Sequence, residues 1–251
     1  MKNAILRSFL YPAPAFPVPR PPSGMEEVWL PGLDDQRIHG WIDAEPAREG
    51  TAALVVLHGN GENLGILAMA GLFQELRGLG ARCLAVDYPG YGRSEGQPSE
   101  VANIAAAEAA IEHLAERFPG ASLGVWGWSL GAAVGIQAAV RKRDLLDRVI
   151  LLSAWTTLEE IARQHFPAWL IKPLLSENYD SLAAARDLDL PALVIHGAED
   201  SLIPVSHGER LAEALPRLSR WLPVPEAGHN DLLNFRAVWQ AMGEFLERPP
   251  S

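Results

Sequence analysis

The sequence predicts an α/β protein built on a mostly parallel, eight-stranded sheet with helices on both faces. Short apolar runs alternate with longer segments of helical periodicity along most of the chain, which is the pattern of strand–helix–strand units. Runs such as residues 54–57 are apolar at every position, as expected for strands buried on both faces. The alternation forms one series without an internal repeat, so we expect a single domain over residues 1–251.

A proline-rich lead-in occupies residues 1–24. Its stretch PAPAFPVPRPP, at 12–22, holds too many prolines for a helix or a sheet strand, so we expect it to run extended over the surface. Two short strands are predicted next, at 26–30 and 36–42, around a Gly-Leu-Asp-Asp turn. They form an antiparallel hairpin that adds an edge to the sheet.

The rest of the chain alternates regularly, with one interruption. Further strands are predicted at 54–57, 83–86, 123–126, 149–152, 192–195 and 220–223. Helices are predicted at 64–79, 101–118, 130–141 and 206–215, and from about Asp231 onward. Residues 154–190, after the sixth strand, break the series, and we expect a small helical cap there with a helix around 168–175.

The charge and cysteine content narrow the classes of partner and compartment. The net charge is −10, from 31 acidic against 21 basic residues, which argues against nucleic acid and anionic membranes as partners. The one cysteine, Cys83, allows no internal disulfide and lies in an apolar run, where we expect it to be buried. No apolar run approaches 18 residues, so we expect no stable membrane insertion and a cytoplasmic protein.

The segment GWSLG at 127–131 is the most informative motif. It lies where an apolar strand gives way to an Ala-rich helix, and its glycines allow the tight bend that exposes a serine hydroxyl at the end of a sheet. Ser129 is therefore the candidate nucleophile. A serine hydroxyl is a poor nucleophile at neutral pH, so it needs an adjacent base.

Two later strand ends supply the partners that this serine needs. His229 follows the strand at 220–223 and is the candidate base, while Asp200 follows the strand at 192–195 and would orient the imidazole. Glu199 competes with Asp200 for that role, and we favour Asp200. We expect structural roles for His58 and His196, which also follow or end strands.

The negative charge that develops on an attacked carbonyl needs preorganised donors. The amide N–H of Leu130, directly after the nucleophile, and that of Asn60, in the HGNG loop at 58–61, are the candidates for this oxyanion hole. The sequence has no His-x-x-x-His or Cys-x-x-Cys spacing and no phosphate-binding glycine loop. We therefore expect no metal site and no cofactor.

Together these motifs resemble the α/β-hydrolase superfamily over roughly residues 25–247. The motifs that match, in order, are HGNG at 58–61, DYPGYGRS at 87–94, GWSLG at 127–131, HGAED at 196–200, Ile203-Pro204 and Gly228-His229. Within the superfamily, the phrases HGNGEN and DYPGYGRS make the chain most similar to small Bem46-like serine hydrolases and to the abhydrolase-domain 13 and 17 proteins. The resemblance implies an α/β-hydrolase fold and a Ser129–His229–Asp200 triad. Many of those relatives carry an N-terminal membrane anchor, and we expect this chain to have at most a remnant of it.

The predicted activity is that of a serine carboxylesterase. A serine nucleophile suits acyl transfer to water through an acyl-enzyme, and the expected partner is a small acyl ester of short or medium chain length. Thioesterase and peptidase or amidase activity use the same triad and stay open, as does a non-catalytic binding protein of this fold. Apolar side chains of the cap, Trp155, Phe166 and Trp169, are candidates to line an acyl-binding cleft, or else pack the cap onto the body.

Overall fold

The structure is a computed structural model, and it describes residues 11–14, 16–45, 47, 50–165 and 177–248. These residues form one eight-stranded sheet. The strands are β1 (Met25–Pro31), β2 (Arg37–Asp43), β3 (Ala52–Leu57), β4 (Arg82–Val86), β5 (Ser122–Trp128), β6 (Arg148–Leu152), β7 (Ala192–Gly197) and β8 (Leu218–Val224).

Strand order confirms the mostly parallel sheet with an antiparallel hairpin. The order across the sheet is β1-β2-β4-β3-β5-β6-β7-β8. β2 runs antiparallel to both of its neighbours, whereas β3 to β8 are mutually parallel. The chain therefore starts at one edge, crosses over between β3 and β4, and then builds outward. The carboxyl ends of the six parallel strands share one rim of the sheet, where the loops that carry ligands are expected in such folds.

The helices of the described chain cover both faces of this sheet. They are α1 (Leu64–Met69), α2 (Leu72–Gly78), α3 (Glu100–Arg117), α4 (Leu130–Arg141), α5 (Leu158–His165), α6 (Ser181–Asp187), α7 (Val205–Ala214) and α8 (Arg236–Leu246). Side chains of α3, α4, α6 and α7 join one buried apolar cluster, and those of α1, α2 and α8 join a second. Alternate residues of β3 point into the two clusters, as the two-residue period of a strand requires.

Two helix predictions need correction. The helix predicted at 64–79 is broken into α1 and α2, because Gly71 adopts a left-handed conformation with φ of +77° between them. The last helix starts at Arg236 and not near Asp231, since residues Leu232–Asn234 form a separate 3-10 turn. The turn between β1 and β2 is also a short 3-10 segment, Leu33–Asp35.

The lead-in is anchored next to the cap insertion. Its described residues form neither helix nor strand, yet Tyr11 is buried and its hydroxyl contacts the Glu177 carboxylate and lies 2.9 Å from the Tyr179 hydroxyl. Further along, the Phe16 carbonyl accepts a hydrogen bond from the Asn63 side chain at 2.8 Å. The helix predicted around 168–175 lies outside the described residues. Within the described ranges, none of the helices combines the length and apolar character that crossing a membrane requires.

Candidate active site

Ser129 occupies a sharp turn between β5 and α4. Its backbone angles are φ +56° and ψ −113°, a conformation that residues with a side chain rarely adopt. The Ser129 amide donates to the Leu152 carbonyl at 2.8 Å, which ties the turn to the neighbouring strand β6. The turn therefore places the Ser129 side chain at the carboxyl-end rim of the sheet.

The flanking glycines make this turn possible. A Cβ atom at Gly131 would overlap the carbonyl oxygen of Leu57 and come within 2.9 Å of that of His58. A Cβ at Gly127 would overlap the Gly131 carbonyl and lie 2.7 Å from the Ala132 nitrogen. Every one of these neighbours is backbone, so the start of α4 packs against the ends of β3 and β5 only because Gly131 and Gly127 lack a side chain.

Asp200 lies in the loop after β7 with its side chain fully buried. Oδ1 of its carboxylate accepts hydrogen bonds from the amides of Leu202 (2.9 Å) and Ile203 (2.7 Å). Burial raises the pKa of the carboxyl, but hydrogen bonds from His196, His229 and the Ile203 amide outweigh it and hold the pKa far below its usual range. Asp200 is therefore an ionised, fixed acceptor at neutral pH.

The loop that carries His229 is joined to the Asp200 loop by backbone hydrogen bonds. The Ala198 amide donates to the Val224 carbonyl, and the Glu199 amide donates to the Ala227 carbonyl, both at 2.9 Å. The Asp231 carboxylate caps the turn by accepting from the Gly228 amide at 2.7 Å. These bonds hold Asp200 and His229, which are 29 positions apart in the chain, at a fixed separation.

The three predicted side chains meet at the rim of the sheet. His229 Nδ1 lies 2.7 Å from Asp200 Oδ2, and His229 Nε2 lies 3.1 Å from Ser129 Oγ. An ionised carboxylate only accepts hydrogen bonds, so Nδ1 carries the proton in the neutral imidazole and Nε2 accepts from the serine hydroxyl. The competing acid, Glu199, is exposed at the surface, and the carboxylate that contacts His229 is that of Asp200.

The loop after β3 lies beside the start of α4. A Cβ on Gly59 would be 3.7 Å from the Trp128 carbonyl oxygen, one residue before Ser129. The loop is braced by Glu62, which accepts from the Gly59 amide at 2.7 Å, and by Tyr91, whose hydroxyl donates to Asn60 Oδ1 at 2.6 Å. Leu130 is the first residue of α4, where a helix leaves its amide N–H groups without intrahelical acceptors.

His58 braces the same loop from below. Its side chain is fully buried, with Nδ1 at 2.8 Å from the Gly59 carbonyl oxygen and Nε2 at 3.6 Å from Asp87 Oδ1. The His58 carbonyl accepts a hydrogen bond from the Tyr88 hydroxyl at 2.9 Å. The His58 imidazole thus contacts backbone and the buried Asp87.

Of the three candidate cleft residues, the structure describes Trp155. It is buried and packs edge-on against Tyr179, with 6.4 Å between ring centroids. This places Trp155 in the apolar cluster beneath the cap. Phe166 and Trp169 lie outside the described residues, so their part in a cleft stays a prediction.

Sequence reasoning did not single out Trp128 as a site residue. Its ring centroid lies 6.4 Å from that of His229 with a 36° tilt, so it forms part of the surroundings of the imidazole. The feature of the sequence that could have indicated this role is the position of Trp128 directly before Ser129 in the GWSLG motif. For metal binding, the described residues offer no group of three His, Cys, Asp or Glu side chains.

Comparison with known proteins confirms the resemblance inferred from the motifs. A family model for the α/β hydrolase fold matches residues 52–176. The uncharacterized protein Rv2307c of Mycobacterium tuberculosis is 34% identical over 247 residues, which cover 96% of this chain and 86% of that protein. The α/β hydrolase domain-containing protein WAV2 of Arabidopsis thaliana is 28% identical over 244 residues, which cover 89% of this chain and 79% of the relative.

The solved structures agree on the fold. The esterase Pf2001 of Pyrococcus furiosus superposes with a TM-score of 0.76, covering 95% of this chain and 97% of its own, at 22% sequence identity. At this level of identity the comparison shows a shared fold, and the chemistry follows only from the residues of the site. With the family match, the relatives that align over most of their length and the common fold in agreement, this chain belongs to the α/β-hydrolase superfamily.

Proposed function

We propose that this protein is a serine hydrolase, and specifically a carboxylesterase that acts on acyl esters of short to medium chain length. Membership of the superfamily supports a hydrolase. The observation that carries the proposal is the hydrogen-bonded series Ser129 Oγ, His229 Nε2, His229 Nδ1 and Asp200 Oδ2, with spacings of 3.1 and 2.7 Å. This arrangement of hydroxyl, imidazole and buried carboxylate activates a serine for attack on a carbonyl carbon.

In the proposed mechanism, Ser129 Oγ bonds to the ester carbonyl carbon while His229 Nε2 takes the hydroxyl proton. Collapse of the tetrahedral intermediate breaks the bond to the alcohol, to which His229 returns the proton, and an acyl-Ser129 ester is left. Water then attacks this ester by the same steps and releases the carboxylic acid. Asp200 stays ionised throughout and stabilises the imidazolium.

The amides of Leu130 and Asn60 are proposed to bind the oxyanion. Leu130 begins a helix, so its N–H also lies at the positive end of the α4 dipole. Asn60 belongs to the loop that packs beside the start of α4. Loss of one such donor costs about 3 kcal/mol in transition-state stabilisation.

Covalent labelling tests whether Ser129 is a nucleophile. A fluorophosphonate probe should add one adduct mass to the folded wild-type protein, and Ser129→Ala should remove labelling. His229→Ala should slow labelling by at least about 100-fold, because it removes the general base. Ser201→Ala, an exposed serine next to Asp200, is the matched control and should label like the wild type. A folded wild-type protein that takes up no probe would favour a binding protein of this fold over an enzyme.

A substrate panel separates the reaction classes that share the triad. We expect the highest kcat/KM on p-nitrophenyl esters from acetate to octanoate, with lower values on matched acyl thioesters and aminoacyl amides. A preference for thioesters or amides would assign the triad to a thioesterase or an amidase and would refute the carboxylesterase proposal. Ser129→Ala protein, assayed in parallel, reports the background rate.

The proposed general base predicts a pH dependence. A protonated imidazole has no acceptor for the serine proton, so catalysis by a histidine base requires kcat/KM to fall between pH 8 and pH 5, the range in which histidine side chains in general change their charge. The measurement is initial rate at constant ionic strength with an ester whose own hydrolysis is slow. A rate that stays constant over this range would contradict general-base catalysis by an imidazole.

A further inference from the structure

The inference concerns His196, a second histidine next to the proposed triad, and it rests on the proposed function. His196 lies near the end of β7, four residues before Asp200, and its side chain is fully buried. A buried polar side chain at such a position normally has hydrogen-bond partners, and those partners show what it holds in place.

The contacts of His196 define its protonation. Nε2 lies 2.8 Å from the Ile203 carbonyl oxygen and 3.3 Å from Asp200 Oδ2. Both atoms are acceptors, so Nε2 carries the hydrogen: it donates to the Ile203 carbonyl, and the Asp200 carboxylate lies at ion-pair distance. Nδ1 is buried without a hydrogen-bond partner among the described residues, which fits a neutral ring with its proton on Nε2.

Neighbouring residues hold the ring in one orientation. A Cβ atom on Gly208 of α7 would lie 2.5 Å from His196 Nδ1, so the helix approaches the ring only because this position is glycine. The indole of Trp221 on β8 packs edge-on against the imidazole at 6.4 Å between centroids. With the ring confined by a helix and a neighbouring strand, the direction of its Nε2–H bond is set by the core.

Asp200 needs such a donor on one oxygen in particular. The amides of Leu202 and Ile203 both bind Oδ1. Oδ2 is hydrogen-bonded to His229 Nδ1 at 2.7 Å, and His196 Nε2 lies 3.3 Å from the same oxygen. His229 is the group to be oriented and lies on a partly exposed loop, so it cannot also fix the carboxylate. The donor from the buried sheet is His196.

We propose that His196 is a positioning residue: its Nε2–H bond fixes Oδ2 of Asp200, and Asp200 in turn fixes the ring plane and tautomer of His229. The same imidazole binds the Ile203 carbonyl while the Ile203 amide binds Oδ1, so Ile203 is joined both to β7, through His196, and to Asp200 itself. This role requires no contact between His196 and Ser129, because His196 acts through Asp200. Its loss should change the chemical step while substrate binding stays the same.

Three substitutions separate hydrogen bonding from packing. His196→Gln places an amide nitrogen close to where Nε2 lies, whereas the shorter His196→Asn cannot reach Asp200 and His196→Leu has no donor. We expect kcat to fall about 10- to 100-fold in the Leu and Asn variants, as for a misplaced catalytic group. KM should stay within about twofold of wild type. The Gln variant should recover most of the lost rate; equal rates in the Gln and Leu variants would show that His196 only packs.

A spectroscopic measurement decides the question without any substrate. In the folded wild type, the Nδ1 proton of His229, bonded to Asp200, should give a downfield imidazole N–H resonance. This signal should persist in His196→Gln and broaden or disappear in His196→Leu. An unchanged signal in a folded Leu variant would overturn the proposal, even if the wild type were an active esterase. If the wild type hydrolysed no ester, the proposed function would fail while this measurement still tested the role of His196.

The wild-type protein alone provides a last check that does not depend on a variant folding. Imidazole nitrogen shifts in protein labelled with ¹⁵N-histidine report which ring atom carries the proton. We expect His196 to be protonated at Nε2. A proton on Nδ1 instead would leave Asp200 without this donor, and the proposal would be wrong.

Discussion

At the scale of single residues, the backbone of Ser129 is the most unusual feature of the molecule. A non-glycine residue with φ of +56° and ψ of −113° costs on the order of 1–3 kcal/mol and persists only where its surroundings enforce it. Here the enforcement comes from the Leu152 carbonyl, which binds the serine amide, and from the close approach of β3 to α4. The position of the Ser129 hydroxyl at the rim of the sheet is therefore a consequence of packing around the turn.

This packing makes Gly131 the residue least able to accept a side chain. Gly131→Ala would force a methyl group into the backbone carbonyls of Leu57 and His58, which cannot rotate away. We expect a loss of at least about 3 kcal/mol in the free energy of unfolding. This corresponds to a fall in Tm of more than about 6 °C for a chain of this size.

The matched control for that substitution is Gly78→Ala. Gly78 is the last residue of α2, and a Cβ there would meet nothing within 4 Å. Alanine is the better helix former by up to about 1 kcal/mol, so this variant should be as stable as the wild type or slightly more stable. Thermal unfolding followed by circular dichroism compares the two, and a Gly131→Ala protein as stable as Gly78→Ala would refute the packing argument.

The sequence predicted Ser129, Asp200 and His229 as candidate site residues. It did not predict the contact that His196 makes with Asp200. The three could be predicted because parallel strands end at one rim, so a residue just after such a strand is placed by topology alone. The contact from His196 to Asp200 could not be predicted, because it depends on the direction of a ring that Gly208 and Trp221 confine. Gly208 lies on α7 and Trp221 on β8, so neither belongs to the same element as His196.

At the scale of elements, apolar periodicity predicted every strand of the sheet, with bounds that differ from the structure by at most two residues. The broken helix at 64–79 shows the limit of this reasoning. Its apolar positions continue through the break, since α1 and α2 bury Leu67, Leu72 and Leu76 in the same cluster. A single glycine, Gly71, changes the direction of the backbone without interrupting that pattern.

The cap helix α5 is docked on α7 by polar contacts. Arg210 of α7 pairs with Glu160 of α5, with 2.5 Å between Nη1 and Oε2. The Gln164 side-chain nitrogen lies 2.8 Å from His207 Nε2, and Thr156 Oγ1 lies 2.8 Å from His207 Nδ1. The Gln164 amide N–H donates to Nε2, so this nitrogen carries no proton and His207 is neutral here.

Protonation of His207 should loosen this docking. Burial lowers the pKa of His207 in the folded protein, and a second proton would put an N–H at Nε2 opposite the Gln164 donor. Because the unfolded chain then binds more protons than the folded one, this histidine makes the free energy of unfolding fall as the pH drops below about 6.5, the ordinary histidine value. His207→Asn keeps a donor near Nδ1 but cannot titrate, so its stability should decline less between pH 7.5 and 5.

The comparison requires a second histidine variant, since the chain has seven histidines. His113→Asn, on α3, removes a histidine outside the cap and serves as the control. Urea unfolding at each pH gives the free energies. If the difference between wild type and His207→Asn were the same at pH 5 and 7.5, the docking of α5 would not depend on this proton.

At the scale of the whole molecule, Arg148 joins the middle of the sheet to the end of the chain. This buried arginine of β6 donates to the carbonyls of Phe245, Leu246 and Arg248, at 2.9 to 3.0 Å, and to Ser122 Oγ on β5 at 2.9 Å. The carbonyls of Phe245 and Leu246 are among those that the last helix leaves without intrahelical donors, and a cation is favoured at that end of the helix dipole. One side chain thus fixes α8 over the face of the sheet that it covers.

Replacement of Arg148 should therefore destabilise the whole fold. Arg148→Met keeps much of the aliphatic stem and removes the donors, and hydrogen bonds to a charged group contribute about 1.5–3 kcal/mol each. Because residue 248 is exposed, so that its carbonyl can bind water instead, we expect a net loss of about 3 kcal/mol, or about 6–12 °C in Tm. Arg220→Met is the control: its ion pair with Glu244 of the same helix spans 2.9 Å, but both side chains are more than 40% exposed, so its loss should cost less than about 1 kcal/mol. Equal Tm values for the two variants would mean that apolar contacts hold α8 on the sheet and that Arg148 adds little to stability. A much lower Tm for Arg148→Met would mean that the buried guanidinium is needed to hold α8 in place.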